Sequence, residues 1–280
     1  MSEIDGAAAL DEHAQRYPVI DEMTGEIVSD PDGDPIVELE GHDYLGLAQS
    51  MTIEERAAGE RAWRYGHVIV DEAQDLTPMQ WRMVARRARG HSMTIVGDLA
   101  QRTAGRAPSW DELLPPEIGR PVRFDLGTNY RATEELAAVA RPVLAALAPD
   151  LLSPSAIRNG PEPVLIRSPD PDAELDALVE RARADVDDGT VAVIDAHVHD
   201  RTGHVAHRDD TGVWWLTPIE AKGMEFDAVI VVEPANIDAL DNGLARLYVA
   251  LTRATERLYV LHKRELPGAL VPARWNQGTA

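Results

Sequence analysis

Cysteine is absent from the 280 residues. Disulfides and cysteine-ligated zinc are therefore excluded, and the composition fits a reducing, cytoplasmic setting. Lysine is nearly absent. Of the 27 basic residues only Lys222 and Lys263 are lysine, an arginine excess that reads as genome composition bias. No stretch approaches the roughly 18 consecutive apolar residues of a membrane span, so no membrane partner is expected. The first residues, MSEIDGAAALDEHAQ, have neither a basic start nor an apolar segment, so no signal peptide is expected there.

Positive charge is scarce too. The formal net charge is −21. Residues 1–62 hold 16 acidic residues against three arginines, a net of −13, which leaves −8 for the remaining 218. Duplex binding depends on neutralising phosphates, so a chain this acidic offers no broad nucleic-acid surface, although a local basic face stays open. The acidic segment reads either as a solvated region or as a contact for a basic partner. Length and an apolar fraction of 44% allow one large domain or two modest ones.

Residues 1–50 read as irregular. The run Asp30-Pro31-Asp32-Gly33-Asp34-Pro35 is turn chemistry, and its glycine is misplaced for an EF-hand calcium loop. A helix is expected over 51–64, with Thr52 as N-cap and Glu55 completing a capping box. Short apolar runs then alternate with amphipathic stretches. Strands are expected at 67–70, 93–96, 122–126, 164–166, 191–194, 213–216, 228–232 and 258–261. Helices are expected at 78–89, 133–147, 173–185 and 242–254, the second kinked or split by Pro142. Continuous apolar strands belong in a mainly parallel sheet covered on both faces, and the alternation predicts an α/β fold. Pro115-Pro116 and Gly119 mark a candidate boundary.

Five stretches carry chemistry. The strand at 67–70 ends in Asp71-Glu72-Ala73-Gln74-Asp75. Adjacent carboxylates at the C-terminal end of a buried strand can hold Mg²⁺ through water and polarise an attacking water. Alone they can equally cap the following turn. About 20 residues later a second apolar strand ends in Gly97-Asp98-Leu99-Ala100-Gln101. Gly127-Thr128-Asn129-Tyr130-Arg131 follows, then Glu220-Ala221-Lys222-Gly223-Met224-Glu225-Phe226-Asp227. Last comes Tyr248 to Ala254, containing Leu251-Thr252-Arg253-Ala254.

In this order and spacing the five stretches resemble the UvrD/Rep-like superfamily 1 helicases, nearest to the HelD-like, RNA polymerase-associated branch, over roughly residues 60–265. The resemblance implies RecA-like (P-loop NTPase-type) motor architecture. It implies that Asp71 orders Mg²⁺, that Glu72 is the general base, and that Gln101 senses the γ-phosphate. Arg131 and Arg253 would be the two arginines that reach the γ-phosphate, planar and permanently charged forks suited to phosphate oxygens. Glu225 would contact the ribose, with Lys222-Gly223 at a turn beside the nucleotide cleft. For a lone arginine the plainer reading is a surface salt bridge.

One part of that pattern is missing. Such motors hold the β- and γ-phosphates in a G-x-x-x-x-G-K-[ST] loop, and no lysine precedes Lys222. The adenine-contacting glutamine region also has no counterpart. The resemblance therefore implies only the last two strands of a first motor domain, with an unpaired sheet edge. The connection between the strands at 191–194 and 213–216 is too short for the inserted domain usual in such helicases. It holds His197, His199, His204 and His207, which are weighed as a metal site but read as a solvated polar loop. Trp81, Trp214 and Trp215 read as core packing before base stacking.

The expected organisation is an acidic segment at 1–62, a remnant of a first RecA-like domain at 63–118, and a second RecA-like domain at 119–280. The resemblance implies ATP, Mg²⁺ and single-stranded or duplex DNA as ligands, with RNA polymerase or a separate P-loop-bearing chain as partner. The leading expectation is the C-terminal portion of a UvrD/HelD-like motor that is not an autonomous ATPase. The rival is a catalytically inactive docking module.

Overall fold

A computed structural model describes residues 16–18, 37–39, 64–103, 109–203, 206–271 and 275–277. The chain divides into two compact units, 1–65 and 66–280. In the first, β1 (Arg16–Pro18) pairs antiparallel with β2 (Val37–Leu39), so the stretch expected to be irregular contains one short ladder. The run at 30–35, and the helix expected at 51–64 except its last residue, lie outside the described residues.

The second unit opens with β3 (Val68–Val70), α1 (Pro78–Arg87), β4 (Met93–Ile95) and α2 (Trp110–Leu113). Strands β3 and β4 pair in parallel as a sheet of two. Thr77 starts α1 with the full capping box, its side chain bound by the Gln80 backbone and the Gln80 side chain reaching back, with Pro78 in the first turn. One face of the pair packs Val68, Val70, Met93 and Ile95 against Trp81 and Ala73, with Trp110 and Leu114 alongside. The other face shows Ile69 72% exposed. The strand that carries the Asp71-Glu72 pair is therefore covered on one face only, not on both as its apolar run predicts.

Next come β5 (Thr128–Thr133), α3 (Glu134–Leu147) and β6 (Ser155–Arg158), with β5 and β6 a second parallel pair. The Thr133 hydroxyl caps α3. The helix runs unsplit through Pro142, because Leu136, Val139, Ala140, Val143 and Leu144 hold one face in the core on both sides of it. The strand expected at 122–126 does not form. Val122, Phe124 and Leu126 are 80%, 82% and 83% exposed, and the strand begins at Thr128 instead. An alternating apolar pattern becomes a strand only where a neighbour offers hydrogen bonds and a face, and among the described residues β6 meets this stretch from Gly127 onward.

The remaining elements are β7 (Val164–Arg167), α4 (Pro171–Asp185), β8 (Val191–Asp195), α5 (Val198–Thr202), β9 (His207–Arg208) and β10 (Trp214–Leu216). After them come β11 (Phe226–Val232), α6 (Pro234–Asp238), α7 (Gly243–Leu251), β12 (Ala254–His262) and β13 (Asn276–Gln277). They build a seven-stranded sheet in the order β13-β7-β12-β11-β8-β10-β9. Every neighbour is parallel except the β9–β10 hairpin at the edge.

Successive residues of the central strands face opposite layers. Ala192, Ile194, Val229, Val231, Leu258 and Val260 meet α3 and α7. Val191, Val193, Ala228, Ile230, Tyr259 and Leu261 meet Leu175, Leu178, Val179 and Ala182 of α4. Each fully buried aliphatic side chain here stabilises by about 1.5–3 kcal/mol relative to exposure. The expected helix at 242–254 ends at Leu251 and the last strand starts at Ala254, so Thr252 and Arg253 occupy the tight turn between them.

Asp209 closes the β9–β10 hairpin by accepting from Thr211, Val213 and the Trp215 indole. Burial pushes its carboxyl up, but these donors outweigh that and hold it below the ordinary carboxylate range. Among the described residues no helix is long and apolar enough to cross a membrane.

Candidate functional site

The crevice lies where the turns after β3 and β4 meet the turns before β11 and β12. Asp71 ends β3 with an exposed carboxylate that accepts from the Glu72 backbone N–H, 2.8 Å. Glu72 then adopts φ 49°, ψ 36°, a left-handed conformation that costs a non-glycine residue about 1–2 kcal/mol. It swings the Glu72 side chain over the 3-10 turn at Ala73–Asp75. There Gln74 Nε2 donates to Glu72 Oε2 at 2.6 Å.

After β4, the Asp98 carboxylate caps a second 3-10 turn, Leu99–Gln101, by accepting from Ala100 N. Its other oxygen accepts from Gln101 Nε2 at 3.0 Å. Gly97 is required for space, since a Cβ there would run into the Gln74 side-chain oxygen and the Trp110 ring.

Three bridges reach this edge from the larger sheet. Lys222, with its side chain 10% exposed, forms an ion pair with Asp75 and donates to Gln101 O at 2.7 Å. Its ammonium is 3.8 Å from Glu72 Oε2. Gly223 has φ 75° and comes close to Glu72, where an added Cβ would stand 3.9 Å from Oε1. Asn242 Nδ2 donates to Thr103 O at 3.1 Å.

Arg253 is buried at the end of α7. Its guanidinium donates to Val249 O, Met224 O, Thr252 Oγ1 and, at 3.0 Å, Gln101 Oε1. Burial pulls it below the usual arginine value, while the carboxylates of Glu72, Glu225 and Asp98 oppose that shift and Arg131 adds to it. Burial first and then the Asp98 charge push the Tyr248 phenol well up and keep it neutral, with Arg253 opposing.

The remaining motif residues sit at the mouth. Asn129 folds its own loop by accepting from Arg131 N and Ala132 N. Arg131 pairs with Glu225 at 2.5 Å, with the arginine side chain 76% exposed.

Seven of the eight residues singled out from the sequence thus lie together, six of them joined by hydrogen bonds or ion pairs and Gly223 by its place next to Lys222. Glu72, Gln101, Lys222, Gly223 and Arg253 form one cluster, and the Arg131–Glu225 pair stands beside it through its charge on Arg253. Asp71 stays with Glu72 through the backbone alone. Gln74, Asp75 and Asp98 lie inside the same motifs, although residue type and spacing alone assign them no role. Their signal was position: each lies three or fewer residues from an assigned side chain.

The histidines gather differently. His199 Nε2 meets the Glu220 carboxylate at 2.9 Å, while Thr217 and the Ala206 N–H also donate to Glu220. Burial pushes the Glu220 carboxyl up, but those bonds hold it below the ordinary range. Among the described residues no three side chains of His, Asp or Glu gather as metal ligands, and His204 lies outside them. Trp81 is fully buried, Trp214 stands tilted to Phe226 at 6.4 Å, and Trp215 donates to Asp209. All three are packing residues here.

Comparison with known proteins bears on the same stretches. Residues 39–103 match the UvrD/REP helicase N-terminal domain, and residues 212–261 match the UvrD-like helicase C-terminal domain. The chain is similar to DNA helicase IV of Escherichia coli (strain K12), 26% identical over 267 residues, or 82% of this chain and 38% of that protein. It is similar to the RecBCD enzyme subunit RecB of Mycobacterium tuberculosis, 32% identical over 105 residues, 36% of this chain and 9% of that one. A solved structure, the C-terminal domain of a possible DNA helicase from Lactobacillus plantarum WCFS1, is 22% identical with a TM-score of 0.43, covering 53% of this chain and 98% of that one. The chain thus spans well under half the length of the curated relatives it matches. The two domain matches and the helicase IV similarity support a UvrD/Rep-like helicase relationship.

Proposed function

We propose that these residues supply the carboxylate and arginine side of the nucleotide crevice in a UvrD/HelD-like DNA helicase motor of RecA-like architecture, and that they do not turn over ATP by themselves. The observation that carries this reading is the direct contact of Arg253 and Lys222 with Gln101 beside Glu72, which brings residues from both domain matches into one cluster.

The donor set fits the metal and terminal-phosphate end of Mg–ATP. The exposed Asp71 carboxylate, at the end of a parallel strand, suits a hydrated Mg²⁺. Among the described residues the Arg131 side chain is held by an exposed ion pair, which is worth about 0–1 kcal/mol, so exchanging Glu225 for a phosphate oxygen costs little. Arg253 adds a fixed positive charge beneath it, and Glu225, once released, is placed for a ribose hydroxyl. Glu72 keeps Oε2 on Gln74 and turns Oε1 toward Gly223, free to accept a proton from water. Lys222 and Gly223 hold Gln101 and Glu72 in register. The chemistry that Mg²⁺ supplies in such a site is neutralisation of phosphate charge.

For the other end of the nucleotide the sequence offers no P-loop motif. The 280 residues contain no G-x-x-x-x-G-K-[ST] stretch and no lysine before Lys222, so the β- and γ-phosphates lack the backbone amides that hold them in a P-loop. Expected results are no phosphate release from ATP above background, and weak fluorescence binding of a mant-labelled ATP with Mg²⁺ that is lost in Arg253→Ala. ATP turnover at an ordinary motor rate, abolished by Glu72→Gln, overturns the proposal.

A second reading draws on the exposed Val122, Phe124 and Leu126, an apolar row that a partner would cover. That partner is a separate P-loop-bearing chain in the motor reading, and RNA polymerase or another protein in the docking reading. Pull-down from the cytoplasm of the native host separates them. A P-loop-bearing chain favours the motor, and polymerase capture that survives Arg253→Ala favours docking.

A further inference from the structure

Gln74 is fully buried in a turn whose neighbours serve the crevice. A buried primary amide is costly unless both ends are satisfied, and here both are. Nε2 donates to Glu72 Oε2 at 2.6 Å, and Oε1 accepts from the Asp98 backbone N–H at 3.1 Å. An ionised carboxylate only accepts and a backbone N–H only donates, so one orientation of the amide satisfies both. The Gln74 backbone oxygen is bound in turn by the Arg102 guanidinium. Gly97 has no side chain because this amide fills its place.

The contacts continue. Asp98 Oδ2 accepts from Gln101 Nε2 at 3.0 Å, and Gln101 Oε1 accepts from Arg253 Nη2 at 3.0 Å. An unbroken series of hydrogen bonds therefore runs from the Glu72 carboxylate to the Arg253 guanidinium. Its first member sits in a strained left-handed conformation, which persists only where surrounding contacts over-determine it.

We propose that Gln74 is a positioning residue that clamps one oxygen of Glu72, presents the other to the crevice, and couples Glu72 to Arg253 through Asp98 and Gln101. The use of that coupling rests on the nucleotide reading above. The coupling itself does not. It makes the carboxylate from one domain match and the guanidinium from the other respond together to whatever occupies the space between them.

The test follows solvent exchange of the Arg253 guanidinium protons by nitrogen-15 NMR on the unliganded chain, comparing each variant with wild type at the same pH. Gln101→Met cuts the last bond and sets the scale. Gln74→Met keeps the volume but neither hydrogen bond, and at neutral pH it should speed exchange by roughly tenfold, as the loss of a net hydrogen bond predicts. Gln74→Glu should do the same at neutral pH, where two carboxylates face each other. Near about pH 5, approaching the carboxylate range, its protonated form can donate to Glu72 and accept from Asp98 as the amide does, and exchange should return toward wild type. Gln74→Met should show no such recovery, and a role in packing alone predicts neither effect.

Exchange in Gln74→Met within about twofold of wild type, with Gln101→Met accelerated, overturns the proposal. So does a Gln74→Glu variant whose exchange relative to wild type is the same at neutral pH and near about pH 5. If Gln74→Met fails to fold, the pH series of Gln74→Glu decides alone. Failure of the nucleotide reading shows separately, as absence of mant-ATP binding by the wild-type protein.

Discussion

The seven-stranded sheet, parallel but for its edge hairpin, and the parallel β3–β4 pair meet solvent differently. Helices cover the first on both faces, and its strands are apolar on every residue from Val229 to Val232. The second rests on Trp81 and leaves Ile69 to water. Parallel sheets are stable when both faces are covered, so the larger sheet is the scaffold, and the smaller one gains from its bonds to it. Lys222, Arg253 and Asn242 make those bonds. The crevice therefore also works as the joint that holds the weaker sheet in place.

The contrast breaks most visibly in the cores. Trp81→Ala should cost about 3–5 kcal/mol and Leu178→Ala about 2–5 kcal/mol, but with different reach. Hydrogen exchange should show Trp81→Ala opening residues 68–101 while β8, β11 and β12 stay protected, and Leu178→Ala weakening the whole unit. Equal loss of protection everywhere in both variants would erase the distinction between the sheets.

A smaller effect is expected at the joint. Lys222→Met leaves the Asp75 carboxylate and the Gln101 carbonyl without their donor. It should lower stability by about 1–3 kcal/mol in urea unfolding, with the exchange increase confined to the β3–β4 side. An unchanged midpoint would show that the larger sheet does not hold the smaller one.

Acid probes the edge of the larger sheet. The carboxyls of Asp209 and Glu220 lie below their ordinary values when folded. Their contribution is present above the unfolded value and is lost as pH falls through the folded one, with no counterpart on the alkaline side. Trp215 fluorescence, which reports the bond to Asp209, should change on acidification below the ordinary carboxylate range and lose that step in Asp209→Asn.

The smallest changes are expected at the surface. Arg131→Ala should alter stability by less than about 1 kcal/mol, and Phe124→Ser should stay within about 0.5 kcal/mol, both by urea midpoint. A larger loss in Phe124→Ser would show that 122–126 packs against something in solution.

The strands at 191–195 and 226–232 and the helix at 134–147 were legible because apolar periodicity reports local geometry. Glu72, Gln101, Arg131 and Arg253 were legible as residue types at motif spacing. Gln74 was not, because nothing local tells a buried amide from a solvated one.

Residue order alone settled which stretches alternate between two faces and which side chains can carry charge or accept a proton. It did not settle which strand finds a neighbour, so 122–126 and 128–133 came out opposite to their apolar content. Nor did it settle that Lys222 meets an aspartate 147 positions away. Periodicity is a property of a few adjacent residues, whereas pairing, burial and ion contacts depend on what the rest of the folded chain brings alongside.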